Sequence, residues 1–168
     1  PLRMMRAIRF ATTLDFEIEE HSLKAIKEEA ERMKIVSMER IMVEFNKIML
    51  SDRPSKGLKL LEESGLLNYI LPELIALKGI EDIDGQTHKD NFYHTLAVVD
   101  NISENTDKLW LRWSALLHDI GKAPTKKYVE GIGWTFHGHE FVGSKQIKNI
   151  FKRLKLPLGQ EQKYVEKL

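Results

Sequence analysis

His118 and Asp119 stand side by side in Ala115-Leu116-Leu117-His118-Asp119-Ile120-Gly121-Lys122, an imidazole and a carboxylate at the end of an apolar stretch. A neutral imidazole nitrogen and an ionised carboxylate oxygen together suit a divalent metal of intermediate softness. A third ligand is on offer upstream at His94, in Tyr93-His94-Thr95-Leu96. Two more histidines follow in Phe136-His137-Gly138-His139-Glu140. An isolated His-Asp pair is a common coincidence, because histidine serves on surfaces as often as it binds metal. Here five of the six histidines fall between His88 and His139, and that clustering needs an explanation. His88 and His137 are read as solvated or as partners of the ligands.

The elements that must position these groups read as helices. Apolar residues recur at spacings of three and four, so the fold class is all-α. Met4, Ala7, Ile8 and Ala11 share one face of a first helix, with Arg3, Arg6 and Arg9 on another. Leu23, Ala25, Ile26, Ala30 and Met33 mark a second. Ser37 is the expected N-cap of a third, Met38 to about Leu50. Pro54 opens a fourth that Gly65 stops, and short helix continues around Pro72. From Lys78 to Asp90 the composition turns to Gly, Asp, Gln and Thr, which marks a junction or long loop. Beyond it, Asn91 to Ile102 and Asp107 to Ile120 are predicted helices, and the His-Asp pair closes the second. Tyr128 to Phe136 is the one predicted hairpin, reversing at Gly131-Ile132-Gly133. Gly143 to Leu156 reads as a basic amphipathic helix stopped by Pro157. Its Lys145, Lys148, Lys152 and Arg153 either contact an RNA backbone through counterion release or form a solvated face.

Composition narrows the function classes. The 168 residues are 42% apolar, enough for a real core. The formal charge is only +1, with 26 basic residues against 25 acidic ones, so any RNA contact must use local patches. There is no cysteine, which excludes thiolate metal sites and cysteine nucleophiles. Neither a membrane span nor a signal peptide is read, and a cytoplasmic protein is expected. Pro1 and Leu168 both fall within helix-like sequence, so a piece of a longer protein is expected.

His94, then His118-Asp119 with Ile120-Gly121-Lys122, resemble the HD superfamily of metal-dependent phosphohydrolases. The resemblance makes His94 the first ligand, His118 and Asp119 the central pair, and His139, in His-Glu-Phe-Val-Gly-Ser, the extra histidine that some members use for a second metal. Asp119 and Lys122 would then be the catalytic groups. Lys122 is either a cationic phosphate clamp or a surface lysine at a helix C-terminus. The superfamily's last aspartate has no match and is expected beyond Leu168. The metal could be manganese, nickel, cobalt, iron or magnesium.

A second resemblance covers residues 1 to 77. Pro1-Leu2-Arg3-Met4-Met5-Arg6-Ala7-Ile8-Arg9-Phe10-Ala11, Leu14-Asp15-Phe16-Glu17-Ile18, Ser37-Met38-Glu39-Arg40-Ile41 with Glu44 and Lys47, and Gly65-Leu66-Leu67 leading to Leu71-Pro72-Glu73-Leu74 resemble the neck and body of class II tRNA nucleotidyltransferases and poly(A) polymerases. This implies a division into neck and body (1–77), linker (78–85) and HD domain (86–168). It also implies a parent that adds or repairs the 3′ CCA end of tRNA with CTP and ATP, using magnesium in a catalytic head. Arg3 would select the incoming nucleotide's base through its planar fork. Arg6 is a further nucleotide-binding candidate, although Arg6 and Arg9 also suit a phosphate-binding or solvated stripe. Arg40, Glu44 and Lys47 are expected to brace the neck by ion pairing along one helix face. No strand-borne Asp-x-Asp is read, Asp82-Ile83-Asp84 being assigned to the linker, so nucleotidyl transfer by this stretch alone is not expected. Two other readings stay open: a stand-alone HD phosphohydrolase acting on nucleotides, and a non-catalytic helical module that binds tRNA. A poly(A) polymerase parent is not separated from a CCA-adding one.

Overall fold

The computed structural model describes residues 1–167. The chain is all-helical apart from two small hairpins. The first half comprises α1 (Leu2–Thr13), α2 (Glu20–Glu29), a 3-10 helix (Ala30–Ile35), α3 (Met38–Met49), α4 (Pro54–Glu63), α5 (Leu67–Ile70) and α6 (Pro72–Ile75). Met5, Ile8 and Ala11 of α1 are fully buried with Phe45 and Ile48 of α3 and Leu58 and Leu61 of α4, as the apolar spacing predicts. The second helix is shorter than its apolar residues suggest. It tightens into 3-10 geometry at Ala30, so Ala30 and Met33 still reach the core from a different winding. Pro54 begins α4, and Gly65 takes the left-handed φ of 80° just beyond its end.

The stretch from Lys78 to Asp90 is more ordered than expected. β1 (Asp82–Ile83) and β2 (Gln86–Thr87) pair antiparallel across Asp84-Gly85, which have φ of 53° and 77°. Positive φ at both central residues is the tight turn that Asp-Gly favours, and Asp82 Oδ1 accepts the Gly85 amide at 2.9 Å. Asp82 is therefore on a strand, contrary to the sequence reading, although the strand is two residues long and exposed.

The second half holds α7 (Asn91–Ser103), α8 (Leu109–Leu117), the single turn α9 (Lys122–Thr125), β3 (Lys127–Val129) paired with β4 (Gly133–Thr135), α10 (His139–Arg153) and α11 (Gln160–Lys167). Asp90 caps α7, accepting the amides of Phe92 and Tyr93. α10 starts four residues before the predicted Gly143. Its first turn carries His139, Glu140 and Phe141, none of which enters the core, so hydrophobic periodicity cannot register it.

The halves meet along a seam at α8. Trp113 of α8 is fully buried, packs its ring 5.2 Å from Phe45, and donates its Nε1 hydrogen to Asn46 Oδ1 at 2.8 Å. Beside it the guanidinium of Arg112 is buried. It donates to the carbonyls of Met49 (2.8 Å), Ser51 (2.7 Å), Ser103 (3.2 Å) and Thr106 (3.0 Å). These oxygens come from the ends of α3 and α7, where the last carbonyls have no partner within the helix. Across the same seam Asp100 of α7 accepts from the Ser55 amide and hydroxyl at the start of α4.

Candidate metal centre

His118 and Asp119 follow the last residue of α8, in a turn closed by Ile120 N–H to Leu117 carbonyl (3.1 Å) and Lys122 N–H to Asp119 carbonyl (2.9 Å). α8 is anchored through Trp113, so the pair is delivered to a fixed point. α7 lies against α8 and brings His94 to the same point. One ligand atom from each of His94, His118 and Asp119 lies within 4.8 Å of the others, compact enough for a single cation. The Nε2 atoms of His118 and His94 are 3.2 and 4.0 Å from Asp119 Oδ2.

His139, at the first position of α10, approaches from the other side with its Nε2 3.8 Å from Asp119 Oδ1. This approach depends on glycine. A Cβ on Gly121 would stand 2.0 Å from the His139 carbonyl oxygen and 2.7 Å from the Gly143 nitrogen. Only a residue without a side chain lets the turn after Asp119 touch the α10 backbone. Nothing in the residues flanking Gly121 in sequence announces this contact.

Ring orientation is set by the nitrogen that faces away. Nδ1 of His118 donates to the Ala115 carbonyl at 2.6 Å, and Nδ1 of His139 donates to the Phe136 carbonyl at 3.0 Å. In its neutral form each ring therefore presents Nε2 as its acceptor, the arrangement in which backbone carbonyls orient metal-binding histidines, and in its protonated form His118 Nε2 donates to Asp119 instead. Burial holds the pKa of His94 below its ordinary value, and the charge of Lys89 adds to the effect. The hydrogen bond to Asp119 raises that of His118 despite its burial. Burial pushes the Asp119 carboxyl up, but hydrogen bonds from His118 and Lys122, with their charges, more than reverse this and leave it well below the usual range. The donor set is thus two or three imidazoles and one ionised, buried carboxylate, which fits a divalent cation.

Lys122 points into the centre, its Nζ 2.8 Å from Asp119 Oδ2 and its side chain largely covered. His88 and His137 lie away from the cluster. His88 belongs to the hairpin region, and His137 is exposed. On α11, Glu166 lines a cleft of about 170 Å³ with His118, Glu140 and Ser144, while its Oε1 accepts from Gln162.

The arginines of α1 divide. Arg3 is exposed and has no ion-pair partner among the described residues. Arg6, half exposed, lies 3.6 Å from Glu44, and Arg9 pairs with the same carboxylate. Glu44 is buried against α1, so it does not brace Arg40 and Lys47 along its own helix as expected. It turns inward because it shares the core-facing side of α3 with Ile41 and Ile48. Lys145, Lys148 and Lys152 form an exposed stripe on α10. Arg153 donates to both Glu73 carboxylate oxygens and to the Ile70 carbonyl, tying α10 to the first half.

Residues 15–78 match the family described as "Probable RNA and SrmB- binding site of polymerase A", and residues 91–168 match the HD domain. Along 94% of its length the chain is 36% identical to the A-adding tRNA nucleotidyltransferase of Deinococcus radiodurans. Over the same share it is 33% identical to a multifunctional CCA protein of Neisseria meningitidis and 30% to that of Pseudomonas fluorescens.

The chain is similar to part of the tRNA nucleotidyltransferases.

The match to the RNA-binding family precedes the HD match in the same chain, and the two leave only α1 and the first hairpin outside them. The chain spans 38% of the length of the Deinococcus relative and 39% of the Pseudomonas one. Among the described residues no helix is long and apolar enough to cross a membrane.

Proposed function

We propose that this chain works in the cytoplasm as the tRNA-holding neck and the HD phosphohydrolase unit of an enzyme that adds or repairs the 3′ CCA end of tRNA. The carrying observation is the convergence of His94, His118 and Asp119 in a chain that resembles CCA-adding enzymes over 94% of its length. CTP and ATP would be the parent's substrates, with magnesium in its catalytic head. Arg3 and Arg6 of the neck would contact the incoming nucleotide, and Lys145, Lys148 and Lys152 the tRNA backbone. The Deinococcus relative's name supports a second reading, in which the parent adds A alone.

At the HD centre, His94, His118, Asp119 and His139 would hold a divalent ion such as manganese, nickel, cobalt, iron or magnesium. That ion would supply a bound water of lowered pKa and positive charge beside the phosphoryl oxygens of a phosphate ester. The chain's own groups do the rest. The carbonyls of Ala115 and Phe136 keep the two Nε2 atoms turned inward. Lys122 offers an ammonium to a phosphate oxygen as a point charge on a covered stem. A 2′,3′-cyclic phosphate at an RNA end is the substrate that joins both halves, since such an end must be opened before CCA can be added.

The chain is incubated with each candidate ion and a nucleoside 2′,3′-cyclic phosphate, and ion uptake is followed by equilibrium dialysis. Hydrolysis that Asp119→Ala abolishes supports the reading. Neither uptake nor hydrolysis with any ion would leave only a tRNA-binding module.

A further inference from the structure

The two hairpins are too short to be stable alone, and two-stranded sheets in water rarely are. They hold each other through aromatic rings. The His88 ring, between β2 and α7, meets Trp134 of β4 edge-on at 4.8 Å and Phe136 at 6.1 Å. Its Nε2 accepts the Glu81 amide at 3.3 Å and its Nδ1 donates to the Lys89 carbonyl at 3.0 Å, so both nitrogens are committed. Trp134 donates its Nε1 hydrogen to the Gln86 carbonyl at 3.0 Å, and Tyr128 packs 5.5 Å from it. These rings are outside the hydrophobic core, with Trp134 and Phe136 only half-buried.

The cluster also abuts the metal centre. Lys122 Nζ lies 5.8 Å from the Phe136 ring centroid while it pairs with Asp119 at 2.8 Å. The face of Phe136 therefore looks onto the ammonium that would meet a phosphate. The Phe136 carbonyl orients His139, and Lys126 Nζ, 5.7 Å from the Trp134 ring, is a second cation there, paired with Glu81 of the first hairpin region. Half-covered ring faces flanked by lysines are what a base and its phosphate require together. Aromatic side chains take up unpaired bases by stacking, largely without regard to sequence.

We propose that the two hairpins form a nucleobase-binding wall beside the metal centre, with Phe136 and Trp134 as its stacking residues, so that the ester bound there carries a base. This rests on the phosphohydrolase reading above. His88 acts as the wedge that joins the hairpins, which gives it a role away from the metal.

The test uses the whole chain loaded with manganese and two probes: adenosine 2′-phosphate, and ribose 5-phosphate as an ester without a base. Binding is read by tryptophan emission and calorimetry, independently of turnover. Trp113 is buried and Trp110 packs on it and on Phe151, so Trp134 is the tryptophan beside the centre. The nucleotide is expected to quench emission and to bind at least tenfold more tightly than the sugar phosphate. Phe136→Leu and Trp134→Leu should each weaken nucleotide binding about tenfold and leave the sugar phosphate unchanged, whereas Trp134→Phe should keep the affinity and lose the quench. Equal affinity for both probes, unaltered in the leucine variants, overturns the wall but not the phosphohydrolase reading. Binding of neither probe overturns both. Loss of bound manganese in Phe136→Leu, with Trp134→Leu binding as the unaltered chain does, also overturns the wall.

Discussion

Gly121 and His139 touch backbone to backbone, and their approach brings a histidine from a distant helix within 3.8 Å of Asp119. A methyl group at position 121 would occupy the space of the His139 carbonyl. Gly121→Ala is therefore expected to push α10 outward, at a cost of about 1–3 kcal/mol in stability, and to weaken metal binding roughly 10–100-fold. Thermal unfolding and a metal titration check the two effects. An unshifted metal affinity would separate His139 from the centre.

Asp119 is the only carboxylate in the three-residue cluster, and Lys122 depends on it for a partner. Asp119→Ala should remove metal binding and leave a largely covered ammonium uncompensated, destabilising the metal-free chain by about 2 kcal/mol. The double variant Asp119→Ala with Lys122→Met should recover most of that stability without recovering metal. Denaturant unfolding of the three chains decides it.

Proton and metal compete for His118. Its hydrogen bond to Asp119 raises its pKa, so in the metal-free chain the stabilisation from the protonated ring is present below the ordinary histidine value near 6.5 and is lost as pH rises through the higher folded value. A metal needs the neutral ring, so the sign reverses on loading. The rise in melting temperature produced by added manganese should grow steadily from pH 6 to pH 8. A rise independent of pH would place the ion elsewhere.

Arg112 saturates four backbone carbonyls at the seam between the halves. Arg112→Ala removes this donor from the buried carbonyls of Met49 and Ser51 and the part-buried ones of Ser103 and Thr106, and should cost on the order of 3 kcal/mol. Arg112→Lys should rescue little, because an ammonium lacks the fork that spans these acceptors. Melting curves of both variants measure this.

Lys145, Lys148 and Lys152 are exposed on α10, whereas Arg153 is engaged by Glu73. Replacing the three lysines by Gln should weaken tRNA binding and flatten the dependence of log affinity on log salt by about 0.9 for each phosphate that is no longer neutralised. Arg153→Ala should leave that slope unchanged and lower the melting temperature instead. A salt slope unaffected by the lysine changes would return the stripe to solvent.

Where side chains enter the core, the sequence was a good guide. The repeats at Met4-Ile8-Ala11 and Ile41-Phe45-Ile48 give α1 and α3 their faces, and Pro54 and Gly65 bound α4 within a residue or two. His94, His118 and Asp119 were legible because adjacent imidazole and carboxylate groups are uncommon together at the end of an apolar helix. What escaped was information carried by backbone or by residues facing one another across long separations. The Asp84-Gly85 turn lacks the flanking apolar alternation that would announce a hairpin. Gly121 discloses its purpose only once His139 is beside it. Glu44 is spaced in sequence to pair with Arg40 and Lys47, and its burial against Arg9 shows which neighbour it serves.

The seam at Trp113 and Arg112 makes excision of either half a poor experiment. Cutting in the hairpin region, where family boundaries invite a cut, would strand a large indole in water on one piece and strip the last carbonyls of α3 of their donors on the other. The two portions thus form a single caliper. A ligand held on one jaw would meet the histidines of the other at a distance set by the steel between them and not by a hinge.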